Sequence, residues 1–179
     1  ADGEVKGFLV ETDRPGYRAT KIRNKTGLRI MQNADIELDA VRIPAENLLP
    51  GATDFSQANE LLKDSRAWVG WQGAGIQLAA FGIARDYALT RQQFGRPLAK
   101  FQLIQDGLAE MLGNASASLA MMGEIARLQE RGELEMPQAA MVKATTTRLA
   151  RSTVAIARNA LGGNGICSEF EAAKVFNDA

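Results

Sequence analysis

Two short stretches of this sequence carry residues able to hold a phosphorylated ligand. The first, Arg91 to Leu98, gathers a guanidinium, amides, an aromatic ring, a glycine and a proline into eight residues. Arg91 offers a planar fork of donors that matches phosphate oxygens, Phe94 offers a face for a ring, and Gly95 permits a sharp turn. Such a loop could grip a dinucleotide. The second stretch runs Leu161, Gly162, Gly163, Asn164, Gly165. It could bring bare backbone N–H groups close to an anion, helped by the positive end of a helix starting near Ser168. It is not a strand–turn–helix nucleotide fingerprint, because it follows a helical pattern and no long crossover unit comes after it. Taken singly, each stretch reads more simply as a helix terminator: Arg91 as a helix-ending arginine before a turn, Gly162 as a C-cap.

The elements that would position these loops follow from periodicity. Residues 1–51 carry short β-type runs, Phe8 to Val10 and then Tyr17 to Ile22 after the turn Arg14, Pro15, Gly16. A third run, Asp35 to Ile43, alternates Ile36 and Leu38, then Val41 and Ile43; the slip at Asp39 and Ala40 predicts a bulge. From Thr53 the period becomes helical, so residues 52–179 form a second, helical domain. Asp54 and Gln57 have capping-box spacing, and Leu62, Val69, Ile76 and Ile83 recur in sevens, which predicts one long helix to about Thr90. Its interior glycines Gly70, Gly73, Gly75 and Gly82 each cost roughly 1 kcal/mol against alanine, which points to close helix contact or a ligand. A second helix begins near Ala99, presents Leu108, Met111, Leu112, Ala115, Leu119 and Met122, and ends at Arg131 and Gly132. Pro137 opens a third, and the Ser168/Glu171 spacing predicts a fourth that is still running at the last residue.

Composition removes several kinds of chemistry. The 179 residues contain no histidine, which excludes His-dependent triads and His metal sites and leaves carboxylates or a cofactor to do any work. The 21 basic and 21 acidic residues balance, so nucleic acid is not favoured as a partner. No apolar run is long enough to suggest membrane insertion, and the single Cys167 excludes an internal disulfide. Trp68 and Trp71, one turn apart, read as packing residues, and Met111, Met121, Met122 and Met141 as core filler.

In order, spacing and helix context, the two loops together resemble the acyl-CoA dehydrogenase family. The residues that carry the likeness are Arg91, Phe94, Gly95, Pro97 and Leu98, the pair Phe101 and Gln102, and Leu161 to Gly165. Asp39 to Leu49 is similar to that family's strand leading into its helical domain, so the likeness covers nearly the whole chain. Lys25 to Asn33, Trp71, Gln72 and Leu161 to Ile166 look closest to glutaryl-CoA dehydrogenases and short-chain acyl-CoA oxidases. The resemblance implies a mainly α fold with a β portion: the end of a β-barrel-like middle domain, then an antiparallel helical bundle.

The resemblance also implies a cofactor and its contacts. FAD would be held at its pyrophosphate by Arg91, with Gln93 and Phe94 beside it, Gln102 nearby, and Asn159, Ala160, Leu161, Gly162 and Gly163 completing the pocket. Relatives often carry Gln or Glu where this chain has Asn159. An acyl-CoA substrate would meet Asn59, Lys63, Asp64, Ser65 and Arg66. The implied reaction is α,β-dehydrogenation of a short-chain acyl-CoA or glutaryl-CoA thioester, started by a carboxylate base. Most relatives place that glutamate in a Tyr-Glu-Gly-Thr stretch about two dozen residues past the paired glycines, which here would lie beyond Ala179. A minority place it just before the arginine matched by Arg66, where this chain has Ser65; Glu60 matches no family base. The expected partners are further copies of the chain, as a tetramer that shares the flavin site, and an electron-transfer flavoprotein. The expected compartment is the cytoplasm in a bacterium and the mitochondrial matrix or peroxisome in a eukaryote. Two alternatives stand beside this reading: an oxidase passing electrons to oxygen, and a non-catalytic helical assembly module.

Overall fold

The computed structural model describes residues 5–52 and 54–179, which form two compact units, one reaching to Leu62 and the other spanning Lys63 to Ala179. In the first unit, Pro15 and Gly16 occupy the centre of a tight turn closed by the Tyr17 N–H on the Arg14 carbonyl at 3.1 Å. Gly16 has φ +90°, as the third position of a type II turn requires. The turn launches β1 (Tyr17–Lys21), which pairs antiparallel with β2 (Ala34–Leu38), Tyr17 opposite Leu38 and Lys21 opposite Ala34. The predicted bulge is not there. Ala40 adopts φ +47°, which ends β2 at Leu38, and residues 41–44 lead without strand pairing into a 3-10 turn at Ala45–Asn47. Phe8 to Val10 forms a single bridge, Phe8 opposite Leu48.

Four α-helices follow: α1 (Phe55–Thr90), α2 (Gln102–Glu130), α3 (Met136–Ala160) and α4 (Ala172–Asp178). Asp54 caps α1 by accepting the Ser56 N–H at 2.6 Å. Between α1 and α2 the Leu98–Lys100 segment is a 3-10 turn, so α2 starts three residues later than Ala99. Gly132, at φ +69°, ends α2 with the Glu133 N–H on the Leu128 carbonyl, and a capping box of Glu135 and Gln138 with Pro137 starts α3.

The core of the helical unit is made of small side chains. The buried face of α1 is Ala67, Gly70, Gly73, Ala74, Gln77, Ala80, Ala84 and Ala88, whereas Val69, Ile76 and Ile83 are only partly buried at its flanks. A β-carbon on Gly70 would come within 2.7 Å of the Met122 sulfur, and one on Gly73 within 3.0 Å of the Thr146 backbone. These two glycines therefore mark close helix contacts, as their cost in helix propensity suggested. Gly75 and Gly82 have nothing within 4 Å of that position and face away from the core. Met111 and Met122 are core residues, but Met141 is exposed. Trp68 is 71% exposed and Trp71 44%, so neither is a packing residue within this unit, although Trp71 stands one turn from both Ala67 and Ala74.

A polar cluster around Gln77 crosses the core. The two N–H bonds of Gln77 Nε2 are shared among the Gly73 carbonyl (3.1 Å), the Ser118 hydroxyl (2.9 Å) and the Thr146 carbonyl (3.0 Å), and the Ser118 hydroxyl lies within bonding distance of Gln77 Oε1. One buried amide thereby ties α1 to both α2 and α3, with every polar group satisfied.

Candidate functional site

Arg91 opens a hairpin that sequence patterning treated as an irregular loop. β3 (Gln92–Gln93) pairs with β4 (Arg96–Pro97), and Phe94 and Gly95 form the two-residue turn with φ +53° and +77°. Two positive φ values in succession are the mark of a primed hairpin turn. Glycine takes that conformation freely, but phenylalanine pays for it with backbone strain of about 1–2 kcal/mol. The Phe94 ring gains little burial in return: it is 90% exposed, with its edge toward Phe101 at a centroid distance of 6.0 Å. The Arg96 guanidinium lies 4.2 Å over the Phe101 ring and braces the hairpin. Arg91 differs: its guanidinium has no side-chain partner among the described residues, while its carbonyl accepts the Leu98 N–H at 2.9 Å to close the hairpin base. A braced hairpin thus carries one planar cation without a side-chain partner among the described residues and one exposed aromatic ring.

The glycine stretch is also more ordered than a loop. After α3 ends, Gly162 turns the chain at φ +58° into a 3-10 helix, Gly162–Ile166. The glycines have separate jobs. A β-carbon on Gly165 would lie 2.2 Å from the Arg158 carbonyl, so the chain itself demands glycine there. Gly163 is exposed, has no positive φ and meets nothing within 4 Å, so nothing inside the chain demands it. A bare backbone facing open space suits the close approach of an anionic group. The fourth helix does not start at Ser168: Ser168–Phe170 is a further 3-10 turn, and Glu171, at φ +49°, precedes α4 without a side-chain cap. The Ser168 stretch therefore points no long helix's amino terminus at the glycines, and the turn's own N–H groups are what it offers.

The structure brings these two stretches to one end of the bundle. Tyr87, in the last turn of α1, accepts the Arg91 N–H on its carbonyl at 2.8 Å, and its hydroxyl accepts the Asn164 side-chain amide at 2.9 Å. Asn159 and Ala160, in the last turn of α3, line an apolar groove of about 230 Å³ with Leu103, Ile104, Gly107, Leu108, Met111 and Ile156. Gln102, exposed as the first residue of α2, borders that groove through its neighbour Leu103, and Gln93 is exposed on β3. Leu161 is buried and serves the core.

The remaining predicted residues lie elsewhere. Asn59, Lys63, Asp64, Ser65 and Arg66 occupy the first turns of α1, Asn59 within the first unit and the others within the second. Lys63, Asp64 and Trp68 line a hollow of about 430 Å³ with Gln129, Gly132 and Leu134 from the α2–α3 connection. Arg66 is half-buried, and among the described residues the partner of its guanidinium is the Met136 sulfur at 2.8 Å, a weak acceptor that leaves its other donors without a partner there. At about 1.5 Å per residue, Arg66 and Thr90 stand about 36 Å apart along α1. Lys63 to Arg66 and the Arg91 hairpin are thus at opposite ends of α1 within the helical unit.

Sequence reasoning missed the hairpin, the Tyr87–Asn164 bond and the α2/α3 groove. The hairpin had a signal in Phe94-Gly95 flanked by polar residues, although a phenylalanine at the first turn position masks it. The Tyr87–Asn164 bond joins residues 77 apart, a separation with no local signature.

A model of the acyl-CoA dehydrogenase carboxy-terminal domain matches residues 55–179. The chain is 32% identical to a crystal structure of glutaryl-CoA dehydrogenase from Mycobacterium smegmatis, with a TM-score of 0.96, covering 99% of this chain and 46% of that one. A second glutaryl-CoA dehydrogenase structure from that organism, in complex with FADH2, is 29% identical with a TM-score of 0.96 and the same coverage. Acryloyl-CoA reductase (NADH) from Anaerotignum propionicum is 30% identical over 98% of this chain and 45% of its own length. The chain thus spans just under half the length of these relatives.

Proposed function

The chain belongs to the acyl-CoA dehydrogenase family, and from that premise we propose that the protein containing it is an FAD-dependent dehydrogenase of an acyl-CoA thioester. The observation that carries this reading is the joining, at one end of the bundle, of a free Arg91 guanidinium and the open backbone of Gly163. Those groups fit a pyrophosphate: one supplies a bidentate cation, the other N–H groups with no side chain in the way. Phe94 presents a ring face at the same end, and Gln93, Gln102, Asn159, Ala160 and Gly162 border it. When bound, FAD supplies the acceptor for a hydride from the substrate β-carbon.

Arg66, Lys63, Asp64, Ser65 and Asn59 are assigned to the acyl-CoA. The unused donors of Arg66 suit a carbonyl or phosphate oxygen, and the adjacent hollow gives the ligand room. Because about 36 Å of helix separates this end from the Arg91 end, one copy's two ends do not serve one flavin. The reading therefore includes an oligomer, a tetramer by the family's habit, in which the Arg91 end completes a neighbour's site. The proton-abstracting carboxylate is assigned to sequence beyond Ala179, since Ser65 supplies none. A short-chain or glutaryl thioester is the proposed substrate class, and an electron-transfer flavoprotein the proposed acceptor.

The test uses the full-length protein. It should be isolated yellow, and its flavin absorbance should bleach on adding butyryl-CoA or glutaryl-CoA. Arg91→Gln should weaken FAD binding by about tenfold or more, the worth of one charge-assisted bidentate contact, while leaving the apoprotein's melting temperature nearly unchanged. A full-length protein that takes up no FAD on reconstitution would rule the reading out.

A further inference from the structure

We infer that Tyr87 and Asn164 are positioning residues of the cofactor pocket: their side-chain hydrogen bond sets the spacing between the Arg91 hairpin and the Gly162–Gly163 turn. The inference rests on the proposed FAD reading and adds to it two residues that touch no ligand.

The geometry on both sides of the bond is stiff. Tyr87 and Arg91 belong to one helical turn, joined by the 2.8 Å bond from the Arg91 N–H to the Tyr87 carbonyl. The Tyr87 ring is half-buried and meets the Phe170 ring edge-on, with centroids 5.6 Å apart and planes at 88°. Asn164 is held by its own backbone, its N–H donating to the Leu161 carbonyl (3.2 Å) and its carbonyl accepting the Cys167 N–H (3.1 Å). Next to it, Gly165 is pressed against the Arg158 carbonyl. A 2.9 Å bond between two such anchored side chains transmits position, because neither end can yield without moving its turn.

Packing alone does not account for the hydroxyl. A phenylalanine at position 87 would keep the edge-on contact with Phe170 and the place in the cluster around Ala84 and Leu161. What the hydroxyl adds is the reach to Asn164. Asn164 is partly exposed, so water can replace the lost partner, and removing the bond costs fold stability little. The cost falls on ligand affinity, because free Arg91 and open Gly163 must then find their mutual spacing as the ligand binds.

The experiment is a double-mutant cycle on the full-length protein with Tyr87→Phe, Asn164→Leu and the pair, read by FAD titration of the apoprotein and by its melting temperature. Each single change should weaken FAD binding roughly three- to tenfold, with the pair no weaker than the worse single variant. The apoprotein's melting temperature should move by no more than about 2 °C for Tyr87→Phe. Unchanged FAD affinity in Tyr87→Phe, fully additive losses, or a melting temperature that falls in step with affinity each overturn the inference. If Arg91→Gln loses FAD while Tyr87→Phe does not, the positioning role fails and the cofactor reading stands. If the unsubstituted protein takes up no FAD, both fail together.

Discussion

The β segment and the helical unit hold their shapes by different means. Among the described residues none before Ala67 is buried, whereas the helical unit has a continuous interior from Ala67 to Ala172. In the β segment the visible ties are polar and at the surface: Arg18 with Glu37 at 2.7 Å, the Lys25 ammonium on the Met31 carbonyl and the Asn33 amide oxygen, and a clip of Glu11, Arg14 and Asn47. In the helical unit the main ties are steric, with backbones brought close over alanine and glycine around the buried Gln77 amide. A ligand end that must keep its spacing sits on the second kind of structure. The first kind tolerates change in side-chain volume but responds to charge.

The largest expected effect breaks the close contact. Gly73→Val places branched carbons where Thr146 already stands, and overpacking of this sort should cost about 3 kcal/mol, lowering the helical melting temperature by roughly 6–12 °C. Ile36→Ala, in β2 and 59% exposed, should change stability by less than about 0.5 kcal/mol. Thermal unfolding followed by far-UV circular dichroism would compare them, and equal costs would refute the contrast. The open position Gly75 sharpens it further, since Gly75→Ala should stabilise by up to about 1 kcal/mol.

The next effect tests the buried amide. Gln77→Leu keeps the volume roughly but strips partners from Ser118, so denaturant unfolding should report a loss of about 1–3 kcal/mol. A variant as stable as the parent would mean that the amide fixes register without adding stability, which hydrogen exchange along α2 and α3 would then reveal as looser protection.

These residues also show what sequence reading can reach. Helix ends at Thr90, at Arg131 and Gly132, and at Pro137 were legible because capping and glycine chemistry act locally. Which face of α1 turns inward was not: the repeat of Leu62, Val69, Ile76 and Ile83 marks the helix, yet the alanine and glycine ridge is what lets helices approach closely. The bulge at Asp39 and the capping box at Ser168 failed for one reason, the left-handed backbone at Ala40 and Glu171, residues that rarely adopt it. The candidate site was legible as two loops of suggestive composition. Their joining through Tyr87 and Asn164 was not, because that contact depends on three helices already being packed.

The smallest effect belongs to the β segment and is one of pH. Hydrogen bonds from Arg14 and Asn47 hold the Glu11 carboxyl at about 2, against an ordinary 4.5. Arg14 also reaches the Arg42 carbonyl at 3.2 Å and Asn47 the Leu9 carbonyl at 2.9 Å, so one carboxylate gathers three stretches of chain. With its folded value depressed, Glu11 contributes fully above the ordinary value, and the contribution is lost as pH falls from there toward 2. The clip is exposed, so salt screens it and the contribution is modest. Acidification should therefore loosen the Phe8–Leu48 bridge first, seen as faster exchange of the Leu9 and Leu49 amides, before the α1–α3 amides respond. Glu11→Gln should show the loosened bridge already at neutral pH and remove this step from the titration. If the helices open at the same pH as the bridge, or if Glu11→Gln titrates like the parent, the division between a charge-held segment and a packing-held unit is wrong.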